Sequence, residues 1–251
     1  MPFALDLEDF HSAEQDPSPE ADLSHAIITE LERRLLPRAT FLTGGSEPIS
    51  HAYAETYGVH VETIHNTFPL PPTPPRVASN SSGQLRLFWF SQVIGLQRGL
   101  EDAIRAMGAA SLIGELHLLG HDTSENIDAL TKFSKKQAPQ LKLVHHQPVS
   151  PEQIAPLARQ FDVGLSLEPG FSRNNRLALS NKSFTYMLAG LALAFTDTEG
   201  QRPLALDIGP EALLFKPGDT AVFAAGLRRW AEQPDTLLAA KKAAWAAAAR
   251  R

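Results

Sequence analysis

Apolar positions recur along this chain in two rhythms. Over Leu23 to Leu36 (LSHAIITELERRLL) they fall at 23, 26, 27, 31, 35 and 36, the spacing of one helical face. Asp22 stands where a cap belongs, and Arg33, Arg34 and Arg38 lie near the C-terminal end, where cations suit the helix dipole. Pro2 to Leu7 reads as the tail of a strand, and ATFLTGG (39–45) as a short buried strand ending in two glycines. Ser46 is placed to cap a helix over roughly 47–57 that Gly58 stops. VHVETIHN (59–66) reads as a further short strand. From Phe68 to Gly83 the text FPLPPTPPRVASNSSG is proline-rich and aperiodic, the clearest linker in the chain.

Beyond the linker the two rhythms alternate regularly. LRLFWFSQ, ELHLLG, LKLVHHQ, DVGLSLE and LALAFTD read as short strands. Between them lie helical stretches: Leu100 to Met107, NIDALTKFSKKQ, PEQIAPLARQF with proline at its start, and NKSFTYMLAG ended by Gly190. Residues near 205–208 and ALLFKPGD (212–219) read as short extended pieces, and Thr220 to Trp230 and Pro234 to Arg251 as helices. Strands alternating with helices predict an α/β fold whose parallel sheets are covered on both faces.

Composition narrows the classes of function. The chain has 251 residues, 43% of them hydrophobic and 20% charged, enough apolar surface for a real core. The net charge of −5 disfavours a broad basic face for nucleic acid. The absence of cysteine excludes disulfides, thiolate nucleophiles and cysteine-ligated zinc. No run of 18 apolar residues predicts a membrane span, and the opening MPFALDLEDFHSAEQD lacks the basic and apolar regions of a signal peptide. A cytoplasmic protein is expected, peripheral to a membrane only through partners.

In open parallel sheets ligands bind beyond the carboxyl ends of the strands, so residues just after each strand carry the candidate chemistry. There is no GxxxxGK[ST], no GxGxxG after a strand and no GxSxG elbow. GLQRG (95–99) follows a strand, opens a helix and carries Arg98, a sensible diphosphate site; a plain strand–helix turn with an exposed arginine is the other reading. In LSNKSFTYMLAGL (179–191), Ser180 or Asn181 caps a helix with Lys182 in its first turn. A cation there opposes the dipole, and a bound anion would explain it; a solvated lysine on a core helix is the alternative. Phe184, Met187 and Leu188 supply that helix's buried face. His145 and His146 are adjacent on a strand, point to opposite faces and are poorly placed to share a metal. His121-Asp122 reads as an ordinary strand end, and Asp6, Glu8, Asp9 and His11 form an acid–histidine group after the first strand.

Taken in order, these stretches resemble the nucleotide-sugar-dependent glycosyltransferases of the GT-B fold, in the retaining, family-four style. The resemblance rests on LTGGSEPISHAYAETYGVHVETIHNTFPL, LRLFWFSQVIGLQRGLEDAIRAM, LHLLGHD, VSPEQIAPLARQFDVGLSLEP, SNKSFTYMLAGLALAFTDTEGQ and LLFKPGD, across roughly residues 39–235. It implies a partial N-terminal, acceptor-side Rossmann-like domain over 1–67, a linker over 68–84 and a nucleotide-sugar-binding Rossmann-like domain over 85–251. It implies a hexosyltransferase-like enzyme of carbohydrate biosynthesis, with a nucleoside diphosphate sugar as co-substrate and a glycan, lipid or protein acceptor. No cofactor and no metal are expected. By position, Arg98, Lys182 and Asn181 match the donor-diphosphate contacts, and Gln92, Gly95, Glu168, Thr185 and Asp197 the nucleotide and sugar side.

Two positions depart from the pattern: Gln92 stands where a second arginine is usual, and Thr185 where a ribose-binding glutamate is usual. A full member also has a longer N-terminal half, so a fragment, or a chain whose sheet a partner completes, is expected. The alternatives to the transferase are a non-catalytic scaffold with a degenerate GT-B fold and an epimerase of the same fold using carboxylates.

Overall fold

The computed structural model describes residues 1–14, 19–76 and 82–251 of the chain. Residues 77–81 of the expected linker lie outside the described residues. Before the proline-rich stretch come β1 (Ala4–Leu7), α1 (Pro19–Leu35), β2 (Phe41–Gly44), α2 (Glu47–Tyr57) and β3 (Glu62–Thr63). After it come β4 (Leu85–Val93), α3 (Leu100–Ala109), β5 (Gly114–His121), α4 (Ser124–Gln137), β6 (Leu141–His146), α5 (Pro151–Ala158) and β7 (Val163–Ser166). The chain closes with α6 (Arg173–Leu177), α7 (Asn181–Ala189), β8 (Ala192–Thr196), α8 (Arg202–Ile208), β9 (Leu213–Phe215), α9 (Thr220–Glu232) and α10 (Pro234–Arg250). No helix among the described residues is long and apolar enough to cross a membrane.

Two compact units emerge. The first comprises Met1–Thr67 with Gly170–Ser180 and Thr198–Pro203; the second takes Phe68–Pro169, Asn181–Asp197 and Leu204–Arg251. In the first, β1, β2 and β3 form a parallel sheet in that order. The Ser46 hydroxyl caps α2, accepting from the Ile49 amide at 3.3 Å, and Gly58 ends it with φ +65°. The same hydroxyl donates to the Leu177 carbonyl at 2.7 Å, and Asn174 donates to Asp9 at 2.8 Å, so α6 is stitched into this unit. Asp9 is thereby a structural acceptor, and His11 pairs with Glu14.

Helix α1 departs from expectation at its start and turns its apolar stripe outward, a facing on which the sequence is silent. It begins at Pro19, a residue suited to the first helical position, so Asp22 lies inside it and is not its cap. Its apolar stripe also points outward: Leu23, Ile27, Leu31 and Leu35 are 69%, 53%, 51% and 38% exposed. The inward side carries the buried Glu32, and Leu36, just past the helix end, is also buried. Tyr53 donates to Glu32 at 2.8 Å, and Tyr57 also donates to it. Burial, with Glu32 adding to it, pushes the Tyr57 hydroxyl up to about 12 and raises that of Tyr53, so both remain donors to the carboxylate. The third expected strand shrinks to Glu62–Thr63, the only part in register with β2.

The second unit is a six-stranded, all-parallel sheet in the order β6-β5-β4-β7-β8-β9. That is the doubly wound order in which the strand succession reverses between the first and fourth strands of the sheet, β4 and β7. Alternate residues of β4 face opposite ways. Leu85, Leu87 and Trp89 join the main core with α3 and α9, whereas Phe88 stacks on Phe161 at 4.6 Å. Thr123 and Asp219 cap α4 and α9, and prolines open α5 and α10. Two expectations change. Residues 205–208, read as extended, belong to helix α8, because Leu204, Ala205 and Ile208 share one buried helical face. Helix α7 is buried all round from Ser183 to Ala189, not on one face, since strands, α5 and α10 enclose it.

Beneath this sheet lies a buried ion pair. Lys241 of α10 reaches Asp162 at 2.8 Å, both nearly solvent-free, and Arg86 adds a contact at 3.3 Å. Burial alone would raise the Asp162 carboxyl, but Lys241 and the Arg86 bonds outweigh it and hold the group below its usual value. Lys241→Met removes the buried cation from that carboxylate, leaving the Arg86 contacts, and is expected to cost about 2–4 kcal/mol in denaturant unfolding. A carboxyl depressed on folding stabilises above its unfolded pKa of about 3.9, so the pair's contribution is lost as pH falls below about 4. A variant within about 0.5 kcal/mol of wild type at pH 7 would contradict this role.

Candidate functional site

The reversal of strand order opens the sheet at the carboxyl ends of β4 and β7, and the loop 94–99 leaves β4 there. Gln97 (φ +62°) and Gly99 (φ +78°) both take left-handed backbone to turn the chain into α3. A Cβ on Gly99 would stand 2.6 Å from the Leu167 Cβ, so only glycine lets this loop lie against the residue that follows β7. The loop is held from outside by Asn126, whose amide donates to the Ile94 carbonyl at 3.0 Å. Gly95 faces the same Asn126 side chain.

Arg98 projects from this turn, exposed, with one guanidinium nitrogen 3.5 Å from the Ser91 hydroxyl. Lys182, in the first turn of α7, reaches toward the same strand: its ammonium lies 6.0 Å from the centre of the Trp89 ring. Two cations, each at the N-terminal end of a helix, thus approach one strand two residues apart. Glu168 sits one residue beyond Leu167 and 3.5 Å from the Lys182 ammonium. Lys182 thus has a carboxylate of the chain itself beside it.

Around this pair the strand ends are tied together. The Glu168 amide donates to the Thr196 hydroxyl at 2.8 Å, joining β7 to β8. The Ser166 and Ser183 hydroxyls meet at 2.8 Å, joining β7 to α7. Tyr186 packs flat on Gly164, whose absent side chain leaves room for the ring, and donates to the Leu165 carbonyl at 3.3 Å.

The remaining sequence candidates spread along the same edge. Gln92 and Asn181 are exposed, Asp197 is half-buried with its amide bonded to the Phe215 carbonyl at 2.6 Å, and Thr185 is buried inside α7. Sequence reasoning missed Asn126, Leu167, Ser166 and Thr196, all of which position site residues without resembling any motif. The histidines divide as their alternation predicts. His146 meets His117 at 2.9 Å, whereas His145 pairs with Asp122 at 3.2 Å.

No protein-family profile matches the chain, and no curated protein matches its sequence. Solved structures do. HepE of Anabaena, solved with UDP and glucose, matches all of this chain and 67% of its own, at 17% identity and a TM-score of 0.74. A TarM variant of S. aureus, solved with UDP, matches all of this chain and 48% of its own, at 8% identity and 0.73. WaaG, a glycosyltransferase involved in lipopolysaccharide biosynthesis, matches 93% of this chain and 64% of its own, at 14% identity and 0.65. The fold is therefore that of the GT-B glycosyltransferases. The chain spans about two thirds of HepE and about half of TarM.

Gly99→Ala tests the close approach on which the site geometry rests. The added methyl meets Leu167 and forces a left-handed alanine, so a loss of roughly 1–3 kcal/mol in chemical denaturation is expected. A neutral effect would mean that loop 94–99 does not bear on β7.

Proposed function

We propose that this chain is a nucleotide-sugar glycosyltransferase, or the donor-binding part of one, acting on a nucleoside diphosphate sugar. The observation that carries the reading is that Arg98, just before α3, and Lys182, in the first turn of α7, both reach β4, at Ser91 and at Trp89. Backbone amides at a helix start and the positive end of its dipole attract phosphate oxygens. Arg98 adds a planar, bidentate fork and Lys182 a compact charge. HepE, of the same fold, binds UDP and glucose, which supports a diphosphate at the corresponding place.

The chemistry asked of these groups is leaving-group stabilisation. As the bond from the sugar's anomeric carbon to the diphosphate oxygen breaks, the electron pair stays with the diphosphate. The anomeric carbon bonds to an acceptor hydroxyl oxygen, and that hydroxyl's proton is released. Charge growing on the diphosphate is met by fixed cations and helix ends, which need little reorganisation. Glu168 lies beside the Lys182 ammonium at the end of β7, and its carboxylate is assigned to accept a sugar hydroxyl. Gln92, Gly95, Asn181, Thr185 and Asp197 are assigned to the nucleotide and sugar side. A glycan, lipid or protein hydroxyl serves as acceptor.

A second reading, a binding or scaffold protein on a degenerate transferase fold, is favoured by Gln92 and Thr185. Neither brings the charge that the resemblance assigns to those places. Calorimetric titration with UDP, GDP and TDP separates the two: absence of heat with all three at about 1 mM would remove donor binding and leave the scaffold. For Arg98→Ala, nucleoside diphosphate affinity is expected to drop about tenfold or more. The melting temperature should stay within about 2 °C, because the side chain is exposed. Unchanged affinity would take Arg98 out of the site.

A further inference from the structure

Two histidines of the six-stranded sheet touch across neighbouring strands. His117 of β5 is buried and His146 of β6 is half-buried; their rings stack at 5.1 Å, and Nδ1 of His117 lies 2.9 Å from Nε2 of His146. The other ring nitrogen of His117 is 3.1 Å from Glu115, and Glu115 also accepts from the Lys142 ammonium at 2.8 Å. Phe161 packs on His117 at 4.4 Å and also stacks on Phe88. The strand that carries His146 is the edge of the sheet, bonded to β5 alone, with His146 in register with Leu119 at its end.

The hydrogen-bond pattern assigns the protons. A carboxylate only accepts, so Nε2 of His117 carries a proton and Nδ1 accepts. Nε2 of His146 is then the donor across the gap. One added proton is accommodated: His117 becomes an imidazolium beside Glu115 and donates from Nδ1, and His146 accepts with its own proton on Nδ1. A second added proton leaves two N–H groups facing each other with no lone pair between them. No spare negative charge offsets it. The groups acting on the pair are Glu115, Arg86 from β4 and His145 from β6. Glu115 already serves Lys142, Arg86 is held by Asp162, and His145 pairs with Asp122. Burial lowers the His117 ring below the usual imidazole value against the pull of Glu115, with His146 and Arg86 adding to the effect; burial, then His145, lowers His146. Rings lowered on folding favour the folded chain above their unfolded pKa of about 6.5, and that contribution is lost as pH falls. A strand bonded on one side only is the element free to open in response.

We propose that His117 and His146 form a proton-sharing clasp that holds the end of edge strand β6 to β5 near neutral pH and releases it in mild acid. The clasp uses none of the residues assigned to the donor site.

Long-range proton–nitrogen NMR correlations of the full chain at pH 7.5 are expected to show both rings as the Nε2–H tautomer. On titration the pair should take up its protons in two steps at least about one pH unit apart. Hydrogen exchange, corrected for the intrinsic effect of pH, should show protection of the β6 amides bonded to β5 falling about tenfold from pH 7 to pH 5. Protection of β8, which has no histidine, should fall less. This range lies above that in which the Asp162 pair is lost. His146→Gln keeps a donor for His117 and removes one titrating ring, so the fall in β6 should shrink to about threefold. Two rings titrating independently near the ordinary value of about 6.5 would overturn the proposal. So would β6 protection that is the same at pH 7 and pH 5, or a His146→Gln chain with the wild-type fall.

Discussion

Leu167 leaves no space for a side chain on Gly99, and much else in the second unit depends on that approach. With glycine there, the loop leaving β4 can lie against the residue that leaves β7. Arg98 is fixed beside it, and Glu168 lies on the other side of Leu167 with Lys182 in contact. Strand order determines where such a loop can be useful: between β4 and β7 the crossovers diverge to opposite faces of the sheet, and their helices start at a common edge. The left-handed turn, the helix starts and the two cations therefore share one geometric origin.

Electrostatics is handled differently at the two ends of this sheet. Near the starts of β4 and β7, Asp162 is deeply buried and held by Lys241 and Arg86, an arrangement that anchors α10 and offers nothing to a ligand. At the carboxyl ends the charges are shallower. Arg98 is exposed, and the Glu168–Lys182 contact is long at 3.5 Å and only part-buried. The first unit buries its carboxylate differently again, satisfying Glu32 with two tyrosine hydroxyls instead of a cation. That choice holds α1 by its polar edge and turns its leucines outward.

The alternation of strands and helices was legible because local rules carry it. Period-two and period-3.6 patterns, the Ser46 cap and the left-handed glycines at 58 and 190 each act within a few residues. Residues 205–208 misled because a short apolar run fits strand and helix alike. The facing of α1 was not legible: spacing reveals that a helix has an apolar face, not which way it is turned, and the Glu32–tyrosine contacts join residues 21 and 25 positions apart. The positions of Arg98 and Lys182, beside a strand end and in a helix's first turn, were readable. Their supports were not, since Asn126, Leu167 and Thr196 act across the sheet, as Thr196 does on Glu168 from 28 residues away. Lys182 in a first turn was readable from the sequence; that Glu168, fourteen residues earlier, lies 3.5 Å from its ammonium was not.

The central claim is that the N-terminal ends of α3 and α7 converge on one diphosphate. Amide chemical-shift mapping of the isotopically labelled chain during titration with UDP tests it most directly. The account predicts saturable perturbations concentrated in the backbone amides of residues 95–102 and 181–185, following a single binding curve. Perturbations confined to one of these segments, or lying elsewhere in the chain, would contradict it.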